Sequence, residues 1–406
     1  MSAISSNRNE ALLLLVLAGI QFTYVLDFSI MMPLGPLLMR ALAIDTRQFG
    51  LLLSSYSVAA AVSGMLAAGY IDRFGRRRLM LCLYALFALA TLCCALAPGY
   101  VSLLLARALA GIFGGVIAAL VQTMVADAIP FERRGKAMGT IMAALSLATV
   151  AGIPIGLLLA QSLPTLDWRA PFLLITLLTL AIFATAYRIL PPMNRHVGQS
   201  GPEPLVRQLL ALVSARNVQI AFGFTTLIVM SGFMMFPYVA IYLTSNAGLP
   251  DSFISLMYLC GGAASFFTGR IIGALADKYG KQRIFTWATL ISFFPLAYIP
   301  QMGRVPQWLA LTVVTAFFIL ITGRMVPGMA VLSAIAPTAT RGTFLSLISS
   351  LQMLMIGVAA LVGGWIVSHG PNGELLNYEI TGYLGVLCGC AAIGLMWLID
   401  TRNADK

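Results

Sequence analysis

Asp72-Arg73-Phe74-Gly75-Arg76-Arg77 lies between two long apolar runs, and 205 residues further on Asp277-Lys278-Tyr279-Gly280-Lys281 lies between two more. A second pair of polar breaks repeats the relation: Pro130-Phe131-Glu132-Arg133-Arg134-Gly135 answers Pro337-Thr338-Ala339-Thr340-Arg341-Gly342 at an offset of 207. Two independent matches at nearly one offset argue for an internal duplication. The fold then turns on what the apolar runs between these breaks are.

Of the 406 residues, 60% are hydrophobic and 10% charged. A soluble domain carries about 25% charged residues, and a chain this apolar could not cover its surface in water. A bilayer core needs about 20 apolar residues per helix. Apolar runs against polar breaks give twelve spans, at 11–39, 48–71, 79–97, 101–128, 136–162, 170–190, 217–245, 252–276, 284–302, 307–335, 342–368 and 380–400. The longest polar stretch, Pro191 to Arg216, holds Pro191-Pro192, Gly201-Pro202 and Pro204. A Pro/Gly-rich linker between equal halves marks a domain boundary. The expected architecture is all-α and polytopic: six helices in residues 1–190, a linker at 191–216, and six helices in 217–406.

Charge sets the orientation. Eighteen of the 25 Lys and Arg residues fall on the side of the N-terminus, four (Arg40, Arg47, Arg169, Arg304) in the opposite loops, and three (Arg107, Arg270, Arg324) inside helices. By the positive-inside rule both termini are expected in the cytoplasm. Arg8 before an apolar run imitates a signal peptide, but the run continues past Asp27 to Met39 with no cleavage site, so it reads as an uncleaved first helix. Short loops without an N-x-S/T sequon fit a bacterial inner membrane.

The net charge of +11 does not point to nucleic acid, because the basic residues sit in breaks between spans and not on one face. The six cysteines lie inside apolar runs without metal spacing and read as packing residues. Gly135-Lys136 and Gly280-Lys281 lack the rest of a phosphate loop. No metal or organic cofactor is expected. Clustered His, Asp or Ser at helical spacing, which an intramembrane enzyme would need, is missing from the sequence.

Asp27 is the one acid well inside an apolar span. It lies twelve residues from Met39, about 18 Å along a helix. A charge at that depth costs about 3 kcal/mol or more, so it should face a cavity or a partner. Burial disfavours the charged carboxylate and a nearby cation favours it; a group between those pressures can load and release a proton. A carboxylate bonded permanently to neighbours is the structural alternative. Gln21, Tyr24, Asp27 and Met31 share one helix face, a mixed polar, aromatic and thioether surface suited to an amphiphilic solute. Tyr238 and Arg324 are the cavity candidates of the second half; Arg324 could hold an anionic group or form a gate pair. Arg324-Met-Val-Pro-Gly328 imitates the Arg107 sequence, yet the repeat offset maps Arg107 onto Val314, so the two arginines are not counterparts.

Across essentially the whole chain these features resemble the major facilitator superfamily. Asp72 to Arg77 is similar to its G-x-x-x-D-R-x-G-R-R loop, with the leading glycine displaced. Leu26-Asp27-Phe28 with Pro36, Arg107-Ala108-Leu109-Ala110-Gly111, and Gly152-Ile153-Pro154-Ile155-Gly156 resemble the branch of twelve-helix drug/proton antiporters and sugar-efflux permeases. The resemblance implies a monomeric secondary transporter that exports a small molecule against protons by alternating access. A proton-coupled importer of a sugar or organic acid is the main rival, and a channel or embedded enzyme the rival from other classes. It further implies that helices 1 and 4 border the cavity, that Arg107 modulates the Asp27 proton, and that Asp72, Arg73, Gly75 and Arg76, with Asp277, Gly280 and Lys281, form conformational latches in which Arg76 meets Asp127. Gly152, Pro154 and Gly156 either stiffen a leak-proof contact or simply pack helix 5.

Overall fold

The computed structural model of the chain describes residues 7–71, 74–193, 216–335, 341–371 and 373–399. Asp72, Arg73 and most of the linker lie outside them. Among the described residues twelve helices are long and apolar enough to cross a membrane. Helices 1 to 6 are Glu10–Ser29, Thr46–Ala67, Arg76–Ala95, Tyr100–Ala128, Ala137–Ser162 and Asp167–Ile189; helices 7 to 12 are Arg216–Ser245, Asp251–Tyr279, Lys281–Gln301, Gln307–Ile335, Thr343–Ile366 and Tyr378–Leu398. Large apolar side chains such as Leu15, Trp308 and Leu387 are exposed on their surfaces, as helices solvated by lipid require. The chain is a multi-pass membrane protein.

Four of the helices are interrupted, and one rule accounts for all four. Proline carries no N–H for the carbonyl four residues earlier. Pro33 leaves Ser29 without a donor, and the first helical segment stops at Ser29, with a short helix resuming at Gly35–Leu42. Pro237 does the same to Phe233, where the helical segment of helix 7 stops. Pro327 does it to Gly323, which ends the first segment of helix 10, and a second segment resumes at Met325. Pro154 does it to Val150, inside a π-turn at Ala148–Gly152. The continuous first span expected over 11–39 is therefore two segments. Broken helices persist in a membrane only where the freed groups are buried in protein or line a cavity.

Contacts divide the chain into two compact units, Met1–Met31 with Ser55–Leu205, and Met32–Ser54 with Val206–Lys406. In the first, Gly111 and Gly115 hold helix 4 against helix 2. A Cβ at Gly111 would stand 2.3 Å from the Tyr56 carbonyl oxygen, and one at Gly115 2.2 Å from that of Ala60. Small residues four apart are what such an approach needs.

The second unit takes in the segment 32–54. Thr46 Oγ1 donates to Val367 O at 2.6 Å, and Cβ atoms at Gly363 and Gly364 would stand 2.3 Å from Met234 O and 2.6 Å from Thr46 O. Two tyrosines secure the interrupted region of helix 7: Tyr378 donates to Met235 O at 3.0 Å, and Tyr238 donates to Ala360 O at 2.6 Å. A two-stranded antiparallel ladder, Ser368–His369 with Leu375–Leu376, closes the link between helices 11 and 12.

Candidate functional site

Asp27 is wholly buried in the first unit, two residues before its helical segment ends. Arg107, on helix 4, places Nη1 2.8 Å from Asp27 Oδ2 and 3.2 Å from the Asp27 carbonyl oxygen. Both side chains are at most 1% exposed. Thr91 on helix 3 sets its hydroxyl 3.4 Å from Oδ1. The Arg107 guanidinium lies 4.3 Å from the centroid of the Tyr56 ring on helix 2, and the Phe172 ring of helix 6 lies 6.0 Å away. A cation over an aromatic face gains about 2 kcal/mol when desolvated. Five helices thus converge on one carboxylate–guanidinium pair.

The seat depends on glycine. A Cβ at Gly114 would stand 2.6 Å from Tyr56 Oη and 3.1 Å from the Tyr24 ring. Two polar atoms at the site, Tyr56 Oη and Arg107 Nε, are buried without a hydrogen-bond partner among the described residues. Unmade hydrogen bonds of this kind are costly in a dry interior.

Helix 5 reaches the same place. A Cβ at Gly152 would stand 2.8 Å from Leu26 Cδ1 and one at Gly156 2.9 Å from Ile30 Cδ1. The glycines lie against residues on either side of Asp27, and the π-turn ending at Gly152 lies directly beside them. Such turns recur at functional sites. Gln21 and Tyr24 are buried on helix 1; Met31 is buried too, but it lies in the turn beyond Ser29, so the helix face expected to carry all four residues stops short of it.

Arg324 is the second fully buried arginine, 1% exposed. It stands at the interruption of helix 10 in the second unit. Its Nη1 donates to Ser231 Oγ at 3.1 Å and Ser292 Oγ at 3.3 Å, and its Nη2 to Ile228 O at 3.3 Å. All three acceptors are neutral, and Nε has no hydrogen-bond partner among the described residues. Tyr238 is fully buried with its hydroxyl already donated, so it would have to turn to meet a solute.

Of the residues expected to form latches, Arg76 is buried and its Nε donates to Asp127 Oδ2 at 3.1 Å, while Nη1 donates to Ile71 O at 3.2 Å. Gly75 caps helix 3 in an extended conformation at φ −62°. In the second unit Asp277, Gly280 and Lys281 are exposed. Gly280 there has φ +97°, a conformation natural only to glycine, and it joins helix 8 to helix 9. Among the described residues no group of three or more His, Cys, Asp or Glu could hold a metal.

Tyr56, Thr91, Ser231 and Ser292 were not legible as site residues. Each is a neutral side chain in an apolar run whose partner lies on another helix.

Twelve membrane-length helices among the described residues, with a buried ion pair in the first half, describe a polytopic membrane protein. The sequence profile of the Major Facilitator Superfamily matches residues 17–294 and again 221–406, and the chain belongs to that superfamily. Solved structures share the fold. A D-xylose–proton symporter superposes with a TM-score of 0.74 at 21% identity, covering 95% of this chain and 97% of the symporter. A nucleoside transporter gives 0.77 at 13%, covering 95% and 99%. A bacterial homologue of the human lysosomal transporter Spinster, inward-facing and unoccupied, gives 0.71 at 14%, covering 98% of each chain.

Proposed function

We propose that the protein exports a small amphiphilic molecule in exchange for protons by alternating access. Both termini would be in the cytoplasm and the chain in the inner membrane. The Asp27–Arg107 pair carries this reading. An ionised carboxylate at this depth is tolerable while Arg107 faces it, and the neutral acid is tolerable when it does not. Any motion that separates the two therefore favours proton uptake, and any that reunites them favours release. The guanidinium has an unpaired Nε–H of its own, and the unpaired Tyr56 Oη beside it is a group it could engage in that motion. Thr91 holds the carboxylate oriented in either state.

Coupling is supported by helix 5, and its glycine–proline segment, which resembles that of the exporter branch, is the ground for reading export. Gly152 and Gly156 lock it onto the residues flanking Asp27, a contact that would couple helix 5 movement directly to the proton site. The proton-coupled import of a sugar, as done by the D-xylose–proton symporter of the same fold, is the second reading. Everted membrane vesicles separate the two. After respiration acidifies the lumen, a solute exchanged for protons should dissipate the gradient when added outside. A solute that enters the lumen without doing so, or that further acidifies it, contradicts export against protons. Asp27→Asn should abolish the response.

A further inference from the structure

The two halves of the chain build the same interhelical node, but with different charge. Asp27 lies six residues before Pro33, which ends the helical segment in helix 1. Ser231 lies six residues before Pro237, which does so in helix 7. The two positions are 204 apart, in step with the repeat. In the first unit an arginine from helix 4 meets Asp27 on helix 1, and Asp27 in turn accepts from a hydroxyl on helix 3, that of Thr91. In the second an arginine from helix 10 meets Ser231 on helix 7 and a hydroxyl on helix 9, Ser292. The guanidinium is retained by a residue three turns further along its helix, at the interruption beside Pro327. The carboxylate is not: a serine stands where its counterpart has Asp27.

Arg324 is therefore a buried cation without a countercharge among the described residues. Its hydroxyl partners are already committed as donors, Ser231 to Gly385 O at 2.5 Å and Ser292 to Thr289 O at 2.6 Å. They can accept from Arg324 but supply no negative charge. The titratable neighbour is Cys388 on helix 12, ordinarily a neutral thiol. No acid of the described residues forms an ion pair with Arg324. Gly232 admits the guanidinium, since a Cβ there would stand 3.3 Å from Nη2. The side carrying Nε is left with an unused donor. Nε–H with an Nη–H is the edge by which arginine grips a carboxylate with two parallel bonds. The second segment of helix 10, Met325–Ile335, begins beside it and adds the positive end of a helix dipole.

We propose that Arg324, with Ser231 and Ser292 holding its guanidinium, is an anion-binding site within the second unit, built for the carboxylate-type group of an anionic amphiphile. This deepens the exporter reading and rests on it for the identity of the ligand as the transported solute. The binding chemistry stands on Arg324 alone. A small inorganic anion offers the same charge.

Thermal unfolding of the purified full-length protein in detergent, at fixed ionic strength against a bulky sulfonate, tests this. The titrants are chloride, benzoate and the neutral benzamide. Stabilisation by benzoate and not by benzamide, with the apparent dissociation constant raised about tenfold or more in Arg324→Gln, supports a carboxylate site. The same pattern with chloride alone supports the anion site and assigns it to an inorganic ion. If no anion stabilises the wild type, or if Arg324→Gln responds as the wild type does, the proposal is overturned. A purely structural arginine predicts a constant loss of stability at every anion concentration, which also overturns it. Should Arg324→Gln fail to fold, Arg324→Lys keeps the charge and loses the planar edge. An apparent affinity about threefold weaker or more then supports the site, and an unchanged one overturns it. No proton gradient is present, so this result is independent of whether Asp27 couples transport.

Discussion

Arg107→Met should destabilise the protein far more than Arg107→Met placed on an Asp27→Asn background. The guanidinium nitrogen stands 2.8 Å from the carboxylate, with both side chains at most 1% exposed. With charge centres about 4 Å apart, the attraction is about 4 kcal/mol at an effective dielectric constant near 20. Removing Arg107 forfeits it and leaves Asp27 buried unless it takes up a proton. Breaking such a pair from one side costs about 3–5 kcal/mol, whereas replacing both charges by neutral groups of similar size is often nearly neutral. A double-mutant cycle should therefore give a coupling energy of at least about 3 kcal/mol between Asp27 and Arg107. The assay is denaturant unfolding in mixed micelles at neutral pH, run on the four proteins of the cycle. Repeating it at acid pH should shrink the penalty of Arg107→Met, because a protonated Asp27 no longer needs the cation. Additive single costs, with coupling below about 0.5 kcal/mol, would refute the view that the two charges form one functional unit.

Three further outcomes follow from close approaches and single bonds. Gly111→Ala places a methyl group 2.3 Å from Tyr56 O; parting helices 2 and 4 should cost about 1–3 kcal/mol, read as a lowered unfolding midpoint. Gly152→Ala presses on Leu26 beside Asp27 at 2.8 Å and should lower transport turnover severalfold while solute binding by equilibrium dialysis stays unchanged. Tyr238→Phe removes the hydrogen bond to Ala360 O and should cost about 1 kcal/mol, with little effect on the anion response assigned to Arg324.

The twelve spans were legible because depth in a bilayer is written as composition, and the described helices start and stop within a few residues of the expected bounds, except the first, which ends at Ser29 and not at Met39. The interruptions were less so. Pro33, Pro237 and Pro327 all lie inside apolar runs, where hydropathy sees no boundary; only the rule of the missing donor four residues back places the breaks at Ser29, Phe233 and Gly323. Asp27 and Arg107 could be singled out because charge is rare at that depth. Their company could not. Thr91 and Tyr56 are ordinary residues of apolar helices, and helical spacing gives the face a side chain occupies but not the helix opposite. The same limit concealed Ser231. Its importance appears only when Arg324 is seen to reach it, and when its place 204 residues after Asp27 shows which group it replaces.

The central claim is that the Asp27 carboxylate couples proton movement to solute movement. Proteoliposomes carrying the solute inside, with and without an imposed pH gradient, test it most directly. The wild type should move solute uphill when the gradient is imposed and exchange it across the membrane when it is not. Asp27→Asn should keep the exchange and lose the gradient-driven movement. Full gradient-driven transport by Asp27→Asn would contradict the account.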